Sequence, residues 1–248
     1  MDWTGATSTA MGVSERPFVI TRDGDRITGI LWQPENASGP VPLVLMGHGG
    51  QGEKRNPNGL ALARRFVRRN GIAVAAIDAI DHGERGNIVA TDDSAGHPDY
   101  IALWKRPGTF DRMVGDWKAT LDALIQLPEI DSERVGYWGL SMGTMLGLPF
   151  VAAEPRLKAA VLGLCGFEGS SAIRGRFSER HRADAPNVVC PTLFMVQWDD
   201  ERFDRNGAFE LFGLLGATDK RMQVHPGLHA EVPVEGTDAT REFLASRL

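Results

Sequence analysis

Gly139-Leu140-Ser141-Met142-Gly143 is the stretch on which the reading of this chain turns. Arg134-Val135-Gly136-Tyr137-Trp138 before it reads as a short buried strand, and Thr144 to Ala153 after it as a helix. A serine between two close glycines at a strand-to-helix junction is a nucleophile elbow. The turn is so sharp that Ser141 is expected in a strained backbone conformation, with its hydroxyl thrust above the sheet edge. Gly139 and Gly143 lack a Cβ where strand and helix nearly collide, so their identity follows from sterics. The first N–H groups of the new helix have no internal partner and point to the same place. An oxyanion forming beside Ser141 is then met by donors fixed before the reaction starts.

The pentapeptide alone is weak. In a chain with 29 glycines, chance produces it about once in seven such sequences. An acid and a histidine, arriving in order at later strand ends, have to decide the matter.

Working outward, the chain is rich in strand-and-helix alternation. Residues 1 to 14 are small and polar and read as a surface arm. Phe18-Val19-Ile20 and Ile27 to Trp32 are β-rich runs joined through Asp23-Gly24, a hairpin signal. Val41 to Met46 is continuously apolar, as a strand covered on both faces should be. It empties into His48-Gly49-Gly50-Gln51-Gly52. A helix follows at about Pro57 to Asn70, ended by Gly71, and Ile72 to Ile77 is another apolar strand. Ile80 to about Thr109 reads as a long irregular stretch, and a loop of that length is usually functional or disordered. Val114, Trp117, Leu121 and Leu124 keep helical spacing up to Pro128. After the elbow come strands at Lys158 to Leu164, Pro191 to Gln197 and Arg221 to His225, helices at Ala208 to Leu215 and 238–247, and an arginine-rich segment at Phe167 to Pro186.

That gives eight strands, the first two a hairpin and the rest alternating with helices. Alternation of this kind means a mostly parallel sheet with helices on both faces. The expectation is one α/β domain over residues 1–248. A length of 248 residues suits a single α/β unit, and the apolar fraction of 42% can fill its core without staples. A net charge of −5 is too mild to support nucleic-acid or membrane-surface binding by electrostatics. The N-terminus lacks the basic start and apolar run of a signal peptide. Cys165 and Cys190 are too few for a disulfide framework. A cytoplasmic protein is therefore expected.

In an open parallel sheet, sites form beyond the carboxyl ends of the strands. His48-Gly49-Gly50, Ser141, Asp199-Asp200 and His229 all lie at such ends. The order Ser, Asp, His is that of the α/β-hydrolase triad.

Three segments, Pro42 to Gly49, Asp131 to Gly143 and Pro191 to Phe194, resemble the serine α/β-hydrolases of the dienelactone-hydrolase and prolyl-oligopeptidase-like esterase group. The resemblance runs from about Phe18 to the C-terminus and implies the α/β-hydrolase fold. In that group the strand after the arginine-rich loop delivers the acid and the loop after the last strand delivers the histidine. Dienelactone hydrolases proper carry cysteine at the elbow, where this chain has Ser141. The usual Gly-x-x-Asp before the acid is here Gln197-Trp198-Asp199-Asp200.

The resemblance implies Ser141 as nucleophile, His229 as base and Asp200, in preference to Asp199, as the acid on the imidazole. The expected oxyanion donors are the backbone N–H groups of Met142 and Gly50, with Gln51 as substitute for Gly50. His48 reads as scaffold of the oxyanion loop and His225 as structural. Arg174, Arg176, Arg180 and Arg182 read as a solvated helix face. Arg85 follows a strand end on the active side and is a candidate for substrate binding. Trp104, Phe167, Trp198 and Phe203 are candidates for an apolar pocket, each with plain core as the alternative. Asp78 and His82 suggest a metal pair, but no Cys or further His stands at ligand spacing. No metal and no cofactor are expected.

The resulting expectation is a serine hydrolase acting on small or medium carboxylic esters through an acyl-enzyme. No large cap domain is expected, so the 80–109 and 166–187 loops should form an open site. Thioesterase, lactonase and, further off, peptidase activity are alternatives on the same residues. A catalytically silent small-molecule receptor is the alternative of another class, and it has no need of an intact Ser141, acid and His229 set.

Overall fold

Apolar runs that the sequence leaves uninterrupted become the central strands, and polar interruptions become the crossings between them. The computed structural model describes residues 1–50, 52–86, 88, 98–167 and 176–248. Its strands are β1 (Asp2–Trp3), β2 (Ser8–Ala10), β3 (Val13–Arg22), β4 (Asp25–Pro34), β5 (Val41–Gly47), β6 (Ala73–Ile77), β7 (Ile130–Gly139), β8 (Leu157–Gly163), β9 (Thr192–Gln197) and β10 (Lys220–His225). Its α-helices are α1 (Pro57–Arg65), α2 (Pro98–Lys105), α3 (Thr109–Leu124), α4 (Met142–Ala153), α5 (Arg176–Asp184), α6 (Arg205–Leu214) and α7 (Val234–Ala245).

All ten strands join one sheet in the order β1-β3-β4-β6-β5-β7-β8-β9-β10, with β2 also on β3. From β6 to β10 every neighbour is parallel; β1, β2, β3 and β4 pair antiparallel. The expected count of eight is thus raised to ten. The stretch read as a surface arm supplies the difference, because β1 and β2 pair with β3 at the sheet edge. Those strands are too short and too polar to show a period of two, and only the partner strand makes them strands.

The parallel strands alternate their side chains between two cores. Leu43, Leu45, Ala73, Ala75, Tyr137, Leu162, Phe194 and Val196 face α3, α4 and α6. Val44, Met46, Val74, Ala76, Val161, Leu193 and Met195 face α1 and α7. Both faces being covered is why these strands read as continuous apolar runs.

Two crossings differ from expectation. The stretch after β6 is not wholly irregular: a 3-10 turn at Gly83–Arg85 is followed by α2. The arginine-rich segment holds α5, whose Arg180 pairs with Asp184 and Asp111 and whose Arg182 pairs with Glu210. Arg174, and the parts of the two loops at 89–97 and 168–175, lie outside the described residues. Of the two cysteines, Cys165 is buried and Cys190 half-buried.

Four histidines among the described residues are buried by this packing, His48, His82, His181 and His229, and two of them matter for the acid limit of stability. His181 of α5 is fully buried against Phe177 and its Nδ1 lies 2.8 Å from Phe177 O. His48, in the loop after β5, is also buried. Burial lowers both imidazoles from 6.5 to about 4. The unfolded chain therefore takes up protons, as pH falls below 6.5, that the folded chain refuses. Stability present above pH 6.5 should be lost progressively as pH falls toward 4. Urea midpoints measured across that window should fall for the native chain and fall less steeply for His181→Leu.

Candidate active site

The elbow is built by close backbone approach. A Cβ on Gly139 would meet Gly143 O at 2.6 Å, and one on Gly143 would meet Gly47 O at 2.6 Å. The glycines therefore let β7 turn sharply into α4 and let the end of β5 lie against the turn. Ser141 carries the strain, at φ 56° and ψ −121°. A non-glycine residue held there costs on the order of 1–3 kcal/mol, which the surroundings must offset. Ser141 N–H donates to Gly163 O at 3.0 Å. Thr144 Oγ1 lies 2.8 Å from Gly139 O and 2.7 Å from Gly163 O, and accepts the Gly163 N–H at 2.7 Å. Tyr137 Oη donates to Gly143 O at 2.7 Å. Thr144 and Tyr137 thus tie the elbow to β7 and β8, a role the sequence does not announce.

The three side chains of the expected set meet. His229 Nε2 lies 2.8 Å from Ser141 Oγ, and His229 Nδ1 lies 2.8 Å from Asp200 Oδ2. Asp200 Oδ1 accepts the N–H groups of Arg202 at 2.8 Å and Phe203 at 2.9 Å, which fixes the carboxylate plane. Asp199 points elsewhere, its Oδ2 accepting Gly227 N–H at 3.3 Å. His225 also stays away from Ser141: its ring abuts Gly236 at the start of α7.

On the other side of Ser141 stands the loop after β5. His48 Nε2 accepts Ala79 N–H at 3.0 Å, so its proton is on Nδ1, which donates to Gly49 O at 2.8 Å. That neutral tautomer, kept neutral by burial, braces the loop that leads to Gly50. Lys54 closes the same loop. Its N–H and Nζ bond the buried Asp78 carboxylate at 3.0 and 2.6 Å, and Nζ also reaches Glu84 at 2.6 Å. The Asp78 carboxyl loses stability from burial, and the Lys54 hydrogen bonds hold it below its usual range. Asp78, read as half of a metal pair, is engaged with Lys54. Among the described residues no cluster of three or more His, Cys, Asp or Glu side chains could hold a metal ion.

A cleft of about 480 Å³ opens beside Ser141 and His229, with Gly50 on its wall. Its described lining comes from the 46–65 segment, Trp138, Leu140, Arg202 and the 230–237 segment. The described parts of the 80–109 and 166–187 loops, where the sequence reading placed an open site, do not enter that lining; residues 87, 89–97 and 168–175 of those loops lie outside the described residues. Arg85 is half-buried with its side chain turned inward, the guanidinium donating to Asp116 at 2.8 Å and to Asp78 O at 2.9 Å. It braces the loop after β6 and does not reach the cleft. Trp104 and Phe167 are core residues, Phe167 beneath the Arg182 guanidinium at 3.9 Å. Trp198 is 47% exposed and stacks with Arg205 at 4.4 Å. Phe203 is buried with its ring 5.8 Å from that of His229, so it supports the imidazole without lining the cleft. An aromatic residue near a strand end carries no sign of which side of the end it will fill. Gln51 lies outside the described residues.

Two consequences can be measured. Tyr137→Phe removes one buried hydrogen bond at the elbow and should lower stability by about 1 kcal/mol in denaturant titration. Arg85→Ala strands the buried Asp116 with Arg22 alone and should cost about 3 kcal/mol, with KM for an ester substrate unchanged.

Solved structures and curated sequences resemble this chain. A cold-adapted esterase from an Arctic intertidal metagenomic library, in its PEG-bound form, is 35% identical, with a TM-score of 0.88 and full coverage of both chains. Acetyl xylan esterase 1 from Thermoanaerobacterium sp. JW/SL YS485 shares the fold at 17% identity, with a TM-score of 0.77 over 99% of this chain and 87% of that one. The quorum-quenching protein AidA of Acinetobacter baumannii (strain MDR-ZJ06) is 30% identical over 157 residues. Those residues are 62% of this chain and 45% of AidA, so the match spans under half the length of that relative. The dienelactone hydrolase family model covers residues 27–230, spanning β5, the elbow, the acid loop and the histidine. The chain belongs to the dienelactone hydrolase family.

Proposed function

We propose that this protein is a serine esterase that cleaves carboxylic esters of small or medium size through an acyl-enzyme. The observation that carries the reading is the pair of 2.8 Å contacts that join Ser141 Oγ to His229 Nε2 and His229 Nδ1 to Asp200 Oδ2. With the Nδ1 proton directed at the Asp200 carboxylate, Nε2 is the free base facing the serine hydroxyl. Ser141 Oγ attacks the ester carbonyl carbon while its proton passes to Nε2. The carbonyl oxygen becomes an oxyanion, met by the N–H of Met142, first in α4, and by that of Gly50. Collapse breaks the carbon–oxygen bond to the alcohol, which leaves with the proton from Nε2. Water then attacks the acyl-enzyme by the same route in reverse, releasing the acid and restoring Ser141. Asp200 orients the ring and stabilises the imidazolium in both halves.

Membership of the dienelactone hydrolase family and the likeness to a cold-adapted esterase over its whole length support hydrolysis of esters as the chemistry. A serine at the elbow favours esters, while lactones and thioesters are the alternative substrates for the same attack. The cleft of about 480 Å³ fits a substrate of moderate size.

A fluorophosphonate probe should label the native chain and leave Ser141→Ala unlabelled. Ser141→Ala and His229→Ala should each lose about 10⁴-fold or more in kcat/KM, with circular dichroism unchanged. Short acyl 4-nitrophenyl esters should turn over faster than long-chain ones. Absence of labelling in the native chain would favour a receptor over an enzyme.

A further inference from the structure

The segment between β10 and α7 has to hold an imidazole in register with no strand or helix of its own to do so. Its backbone groups must find partners, and side chains of β9, of the acid loop and of the segment itself supply several of them. Gln197 Nε2 donates to Leu228 O at 3.1 Å and to Pro226 O at 3.4 Å. Asp199 Oδ2 accepts Gly227 N–H at 3.3 Å, and Glu231 Oε2 accepts Leu228 N–H at 2.8 Å. Glu201 Oε2 accepts the N–H of His229 itself at 2.8 Å. Adjacent carboxylates therefore grip one histidine at two points, Asp200 on the ring and Glu201 on the main chain.

We propose that Glu201 is a positioning residue for His229, fixing its backbone so that the imidazole cannot pivot away from Ser141. The proposal rests on the reading of His229 as the base. A ring anchored only at Nδ1 can swing about the contact to Asp200, and that swing carries Nε2 off Ser141 Oγ. A second anchor at the amide removes the pivot. Misplacement of a reacting group by 1 Å can cost about 10²-fold in rate, so a partial loosening is expected to cost about tenfold.

Glu201 also carries charge. Burial opposes its ionisation, but the His229 N–H and the positive charge the ring acquires hold its carboxyl below the usual range. Among the described residues, several charged and titratable groups stand near this pair, Asp199 on the acid loop being one. Asp200 and Arg202 come from the acid loop, Arg202 Nε lying 3.6 Å from Glu201 Oε1. Glu231 lies on the histidine's own loop, buried Cys165 lies near Asp200, and His48 and Lys54 line the cleft from the opposite side.

Two variants separate these effects, assayed on 4-nitrophenyl acetate. Glu201→Gln keeps an acceptor for the His229 N–H and loses the charge. Its kcat should stay within about twofold of the native value, because the main-chain anchor is kept. Glu201→Ala loses both, and its kcat should fall about tenfold with KM within twofold. A kcat for Glu201→Ala equal to that of the native chain, or a loss confined to thermal stability, would overturn the proposal. So would a Glu201→Gln kcat as low as that of Glu201→Ala, since the amide keeps the acceptor for the His229 N–H. Fluorophosphonate labelling of the native chain is run alongside: labelled enzyme with unchanged variants defeats only the role of Glu201, whereas an unlabelled native chain defeats the serine-hydrolase reading and this inference together.

Discussion

Everything about the site depends on one hydrogen-bonded relay, from the Asp200 carboxylate through the His229 ring to the Ser141 hydroxyl. Each member comes from a different crossing of the sheet, so the relay exists only if β7, β9 and β10 end at compatible heights. The parallel register of β9 with β10, which pairs Gln197 with His225, sets the acid loop beside the histidine loop. The strand order then puts β8 between Asp200 and Ser141, and Gly163 O at its end accepts the Ser141 N–H. The imidazole thus spans a gap whose width the sheet has already set.

Much of this was legible in the residues. Leu43 to Met46 and Ala73 to Ile77 lie between two layers, and apolar runs say as much. Gly139, Ser141 and Gly143 announced a turn because two close glycines leave room for backbone to approach backbone, and a Cβ on either glycine would collide with a carbonyl oxygen. That Asp200 and His229 would be brought to Ser141 was legible from their order and from the family likeness. Asp200 could be preferred to Asp199, but the choice belongs to the loop, where Asp199 bonds Gly227 instead.

The remainder was hidden for physical reasons. The strands β1 and β2 are two and three residues long, and no periodicity can emerge from so few. Arg85 looked available because an arginine near a strand end is usually solvated; its partner, Asp116, lies on α3, 31 residues away. Glu201 stood beside Asp200 in plain sight, yet its function depends on a main-chain N–H with no signature of its own. Trp104 and Phe167 are where the core needed volume, whereas the aromatic side of the described cleft is Trp138, at the end of the strand before Ser141.

The helix that follows the nucleophile is sealed in. From Met142 to Val151 every residue of α4 is buried, held among β5, β7, β8, α3 and α5. Relaxing the backbone at Ser141 would mean drawing that helix partly out of the interior. The tension at the nucleophile is therefore stored in the hydrophobic core rather than in the site's own polar groups. Cohesion of the core and readiness of the hydroxyl are two readings of a single reservoir, and a methyl group lost deep beneath the elbow would be felt at the surface as slackness in the attacking atom.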